Sequence, residues 1–155
     1  MSRKSKARGL SDGITTDEDL RNWGQRHIPG FVGVISRTGF AEAYPKMRPG
    51  QSLIINLDPN YENGGTHWTA LRISSESPTV LYKDSFGLPP PQDVADSVHG
   101  LHIANGAPRG VIYGNRIYQK LDESNCGKRA AYWLADMAKC AKGKKELECF
   151  DKYET

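Results

Sequence analysis

Residues 52–83 constrain the fold more than any other stretch of this chain. Three short apolar runs occur there, 52–57 (SLIINL), 67–73 (HWTALRI) and 79–83 (TVLYK). Asp58, Pro59 and Asn60 break the first run, and Asn63, Gly64 and Gly65 carry the turn onward. Each run has the length and composition of a buried strand. In the second run a period of two puts Thr69, Leu71 and Ile73 on the face of His67, with Trp68, Ala70 and Arg72 on the other. Both faces carry apolar groups, which suits a strand inside a sheet rather than at its edge. Residues 74–78 are too few for a crossover, so the second and third runs are expected to pair antiparallel.

Around these runs the pattern is mixed. Residues 1–13 form a basic arm with Arg3, Lys4, Lys6 and Arg8, expected to lack fixed structure. Thr16 is a helix cap, Asp17, Glu18 and Asp19 suit the positive end of the helix dipole, and Leu20 and Trp23 supply an apolar face. Gly24 is the expected stop. A turn at 28–30 leads into an extended piece at 31–35, and 36–50 reads as a loop. Further on, 87–91 reads as a rigid loop, Gln92–Val98 as a helix, and Gly110–Tyr113 and 116–120 as strands. From residue 125 the period changes. Ala130, Trp133, Leu134, Met137, Ala138 and Ala141 recur at helical spacing, and Gly143 marks the end. The class is α+β, a small and mostly antiparallel sheet packed against one substantial helix. At 155 residues the chain reads as one domain over 14–143, with a charged tail at 144–155 in which Leu147 and Phe150 are candidate docking residues.

Several classes of protein are disfavoured. No stretch approaches the run of about 18 apolar residues that spans a bilayer. The basic arm lacks a following apolar block, so no secretory signal is expected and the setting reads as intracellular or inside a particle assembled there. Cys126, Cys140 and Cys149 are an odd set in such a chain, which argues against a disulfide framework. There is no CxxC pair, and His27, His67, His99 and His102 lack zinc-site spacing, so no metal is expected. The net charge of +3 does not by itself point to nucleic acid. Its distribution leaves a polyanion surface open, through the arm and through Lys139, Lys142, Lys144 and Lys145; solvated tails are the plainer reading.

Cys126 stands immediately before the long helix. There the macrodipole and unpaired N–H groups favour a thiolate, and Gly127 removes bulk so that a substrate backbone can approach. A buried packing cysteine is the common alternative. His67 begins a strand directly after the 64–66 Gly-Gly-Thr loop, and Asp84 ends the next strand. If those strands are antiparallel neighbours, the two side chains meet at one edge of the sheet. The acid then holds the imidazole in one tautomer and stabilises its cation. Gln119 precedes Cys126 at the end of a candidate strand, and its amide is a candidate oxyanion donor with the Cys126 N–H. Gly65, Trp68 and Gly127 are candidate substrate contacts; for Trp68, packing in the core behind His67 is the plainer reading.

Taken in order, GGTHW at 64–68, DSFG at 84–87 and Gln119 followed by Cys126-Gly127 resemble the adenovirus maturation proteases, the adenain family. The order His, acid, Gln, Cys and the spacings within each pair are similar, and Ile28-Pro29-Gly30-Phe31-Val32 resembles a segment in the same relative place. The likeness covers roughly residues 16–140. It implies a papain-like cysteine protease reached by a different chain order, with the helix that starts at the nucleophile packed on a mixed sheet. It implies a His67–Asp84–Cys126 triad with Gln119 as oxyanion donor, cleaving viral capsid and core precursors at glycine-containing sites. A monomer active in the host cytoplasm or nucleus and packaged in the virion is the matching expectation, with no membrane and no required cofactor.

Three departures qualify the likeness. The chain is shorter than adenain, the acid is Asp84 rather than glutamate, and no cysteine stands near Pro108, where adenain is linked to its activating peptide. A disulfide-tethered peptide is therefore not expected, while activation by DNA or another peptide stays open. Proteases for ubiquitin-like modifiers share the same motifs and form the first alternative. A non-catalytic nucleic-acid-binding module is the second, and acyltransferases with a related site are a third.

Overall fold

The computed structural model describes residues 16–57, 67–100, 109–117 and 126–154. Helix α1 spans Asp17–His27 and is entered through a capping box: Thr16 accepts from the Asp19 N–H at 3.0 Å and Asp19 returns the bond to the Thr16 N–H. A cap of this kind is worth about 0.5–2 kcal/mol. Gly24 does not stop the helix. It lies inside it, beneath the ring of Phe31, and the helix runs one turn further to His27.

Five strands form one sheet in chain order: β1 Phe31–Ser36, β2 Ser52–Asn56, β3 Trp68–Ile73, β4 Thr79–Lys83 and β5 Gly110–Tyr113. The centre is antiparallel, β2 with β3 and β3 with β4. The two outer pairs, β1 with β2 and β4 with β5, are parallel. Residues 36–50, read as a loop, instead hold two 3₁₀ turns around helix α2, Phe40–Ala43. Helix α3, Gln92–Val98, supplies the crossover between β4 and β5. Of the strand expected at 116–120, Arg116 and Ile117 are not in a strand; the rest lies outside the described residues, as does the arm at 1–13.

The period of two divides the core into two layers. Ile54, Trp68, Ala70 and Leu81 face α1 and helix α4, Cys126–Lys142, whose Ala130, Ala131, Leu134 and Met137 complete that layer. Leu53, Ile55, Leu71, Ile73, Val80 and Tyr82 face the other way, against Phe40, Tyr44, Val94 and Val98. Strand β3 is buried along its whole length, as its two apolar faces require.

The region read as a charged tail is a docked helix, α5, Glu146–Tyr153. The chain reverses after α4 at Gly143 and Lys144, the latter in the left-handed region at φ 59°. This fold-back brings Cys140 and Cys149 to a Cα separation of 6.4 Å, and they form a disulfide that the odd cysteine count argued against. Phe150 is buried against Trp133 of α4. Glu146 is fully buried, paired with Arg72 of β3 and accepting from the Ser74 hydroxyl and the Ser75 N–H, both at 2.9 Å. A charged residue looks like surface in a sequence. Here fixed partners make its burial tolerable.

Candidate active site

The β3–β4 hairpin and the N-terminus of α4 build the site. His67 is the residue before β3, and its carbonyl accepts from the Leu57 N–H at 2.8 Å, which ties its backbone to the end of β2. Asp84 directly follows β4 and is 1% exposed. The antiparallel register sets these two near one rim of the sheet, and the His67 Nε2 to Asp84 Oδ2 distance is 2.9 Å. The second oxygen of Asp84 accepts the Phe86 N–H at 2.8 Å, so the carboxylate is held from two sides.

Cys126 opens α4, 5% exposed, at the end of the helix whose first N–H groups have no acceptor within the helix itself. The imidazole lies within hydrogen-bond reach of its sulfur. Asp84 occupies Nε2, which leaves Nδ1 as the nitrogen for the thiol. Burial pulls the pKa of His67 down. The hydrogen bonds to Asp84 and Cys126 and the negative charge of both outweigh it, and His67 is pushed up to about 9. The ring therefore keeps its proton at neutral pH. It remains reachable, with a quarter of its side chain (26%) exposed.

One residue of this site carried no role in the sequence reading. Phe86 packs its ring on His67, with centroids 5.3 Å apart and planes 31° apart. Its signal was the hairpin register: Ala70 faces Lys83, so three residues back along β3 position 67 falls level with position 86.

Two of the expected substrate contacts are buried. Trp68 is 7% exposed in the core layer beneath α4, and its indole N–H donates to Asp17 of α1 at 2.5 Å. Gly127 serves that packing. A Cβ there would stand 2.8 Å from the Trp68 ring and 3.0 Å from Leu20, so glycine lets the helix settle on the tryptophan. Gly65 and Gln119 lie outside the described residues. Among the described residues no group of three or more His, Cys, Asp or Glu side chains is placed to hold a metal, and no helix is long and apolar enough to cross a membrane. A pocket of about 220 Å³ lies beside the site, bordered by Lys83, Ser85, Tyr132, Trp133 and Tyr153.

Comparison by sequence finds no matching family model and no matching curated protein. Comparison by structure does find matches. The fold is similar to the crystal structure of ASFV pS273R protease, with a TM-score of 0.55 and 15% identity over 84% of this chain and 59% of that one. It is also similar to the SUMO protease Ulp1 with its catalytic cysteine oxidized to a sulfenic acid, with a TM-score of 0.51 and 15% identity over 88% of this chain and 71% of that one. This chain thus spans about three fifths of the length of the ASFV protease. At such identity the likeness establishes the fold. It is the mixed α+β architecture of papain-like cysteine proteases, with a five-stranded mixed sheet and helices.

Proposed function

We propose that this chain is a cysteine endopeptidase of the adenain-like group. Cys126 is the nucleophile, His67 its acid–base partner, Asp84 the group that orients and charges His67, and Gln119 an oxyanion donor. The observation that carries this reading is the meeting of Cys126, at a helix N-terminus, with an imidazole held by a buried carboxylate. A cysteine kept only for packing does not need that neighbour.

The chemistry follows from the arrangement. His67 shares the Cys126 proton and carries it beside the sulfur as an imidazolium stabilised by Asp84. The thiolate attacks a peptide carbonyl, and the oxyanion is met by the Cys126 N–H and the Gln119 amide. Protonated His67 gives its proton to the leaving amine, and water then hydrolyses the thioester. The substrates proposed are viral capsid and core precursor proteins cut at glycine-containing sites, as the sequence motifs imply. DNA or a peptide as activator, with nucleic acid meeting the N-terminal arm or the Lys139, Lys142, Lys144 and Lys145 cluster, is part of the same proposal, as are a monomeric state and packaging in the virion.

A second reading has its own support. The fold is as similar to a SUMO protease as to a viral protease, so a peptidase acting on a ubiquitin-like modifier uses the same residues with a different exosite. The test is co-expression of candidate precursors with wild-type protein and with Cys126→Ala, followed by mass spectrometry of new termini. Cleavage next to glycine, absent with Cys126→Ala, supports the first reading. Capture of modifier-tailed probes without precursor cleavage moves the assignment to the second. Cleavage by Cys126→Ala at the wild-type rate ends both.

A further inference from the structure

Lys83 ends β4 and directly precedes Asp84, yet its side chain is only 4% exposed. A lysine so deeply placed needs fixed partners. Its ammonium donates to the Arg116 carbonyl at 2.8 Å and to Glu154 at 3.0 Å. The same Glu154 oxygen accepts the Arg116 N–H at 3.1 Å. One carboxylate therefore ties the end of β4 to the segment that follows β5, the segment that continues in the chain toward Cys126. Gly114 makes room for it: a side chain there would occupy the space of the Glu154 carboxylate.

Glu154 is itself delivered by a fixed helix. It sits in the turn closing α5, with its N–H bonded to the Phe150 and Asp151 carbonyls at 3.2 and 3.1 Å. The Tyr153 hydroxyl donates to Asp136 of α4 at 2.7 Å, the Cys140–Cys149 disulfide joins the two helices, and Glu146 anchors the far end of α5 to β3. Helix α5 thus acts as a strut from the closed end of the sheet to the rim that carries Asp84.

We propose that Glu154 is a positioning residue for the His67–Asp84 pair, acting through Lys83. This rests on the peptidase reading for its effect on rate, but the placement it describes is independent of turnover. The charged groups facing Lys83 are Glu154, Asp84 and Arg116, and those facing His67 are Asp84 and Cys126. Burial lowers the pKa of Lys83, while Glu154 and Asp84 raise it. Glu154 holds the ammonium, and with it the end of β4 from which Asp84 follows. Without that carboxylate the end of β4 loses its tie to Arg116, and Asp84 loses its fixed place beside His67.

The test compares wild-type protein, Glu154→Gln and Lys83→Met/Glu154→Gln, all as full chains. Glu154→Gln is expected to lower kcat about 10–100-fold with KM near wild type. The His67 pKa, read by NMR titration, is expected to fall from about 9. Removing the lysine as well is expected to restore part of both, because the buried ammonium that lost its carboxylate is gone. A Glu154→Gln protein that loses thermal stability but keeps kcat and the His67 titration would overturn the proposal. If that variant does not fold, Glu154→Asp carries the test: a reduced kcat at unchanged KM supports the proposal, and a wild-type kcat refutes it. Wild-type protein without turnover, in which Glu154→Gln still shifts the His67 titration, sinks the peptidase reading and leaves the positioning intact.

Discussion

Strand β3 carries an ion pair at each end, and the two are built to opposite specifications. At its start His67 meets Asp84; near its finish Arg72 meets Glu146. Both pairs place a carboxylate out of reach of water, Asp84 at 2% and Glu146 at 0% side-chain exposure. The cations differ. Arg72 is enclosed, with a further bond to the Gly50 carbonyl, and Glu146 also binds two serines and a backbone N–H. His67 is partly open, and one face and one nitrogen are turned to other business, Phe86 and Cys126. A closed pair holds a fold together. A pair left incomplete on one side can accept a proton and a substrate.

The contrast is exposed to test, beginning where the effect is greatest. Asp84→Asn is expected to lower kcat on the order of 10²–10⁴-fold, since the amide supports neither the tautomer nor the cation. Its unfolding midpoint should move far less than that of a Glu146 variant. Steady-state kinetics beside urea unfolding would show this, and an Asp84→Asn enzyme that is fully active but unstable would reverse the roles of the two pairs.

Glu146→Gln strands the Arg72 charge and is expected to cost about 3–5 kcal/mol of stability while kcat per folded molecule stays near wild type. Chemical denaturation with active-site titration separates the two quantities. Gln119→Ala, under the peptidase reading, should lose about 10²–10³ in kcat with little change in stability, equivalent to about 2.7–4 kcal/mol. A loss confined to KM would remove Gln119 from the oxyanion site.

Acid and base conditions sharpen the same contrast. His67 is raised from 6.5 to about 9 in the folded chain. Its stabilising contribution is therefore complete below pH 6.5 and is lost as the pH rises through 9, a change on the order of 3 kcal/mol. The stability difference between wild type and His67→Gln should shrink across that window. The smallest expected effect is Thr16→Ala, about 1 kcal/mol from the lost cap, measurable by thermal melting and without consequence for either pair.

Much of the fold was legible in the sequence wherever one short segment answers to its own pattern. The strand at 79–83, the helix Gln92–Val98 and the strand Gly110–Tyr113 fall where turn residues and periodicity put them. So does the convergence of His67 with Asp84, because a short antiparallel link leaves the chain little choice of register. The reading stopped short where a residue's role depends on distant neighbours. Trp68 suits a groove or a core equally well in the sequence until the helix is set on the sheet. The end of α1 was misplaced because Gly24, a usual helix stop, is needed here for the approach of Phe31.

The sequence on its own determined the strand periods, the capped helix at Thr16, the helix that begins at Cys126 and the order of the candidate catalytic residues, because each is a matter of backbone preference or of spacing along a few residues. Leu147 and Phe150 were open to docking in the sequence, but only the tertiary structure decided that 146–153 docks as a helix, that Cys140 meets Cys149, and that Lys83 and Glu146 are buried. Their partners stand far off in the chain, Glu146 lying 74 residues from Arg72 and Glu154 71 from Lys83. A buried charge is tolerated only where the whole fold brings its counter-charge to it, and no local pattern encodes that meeting.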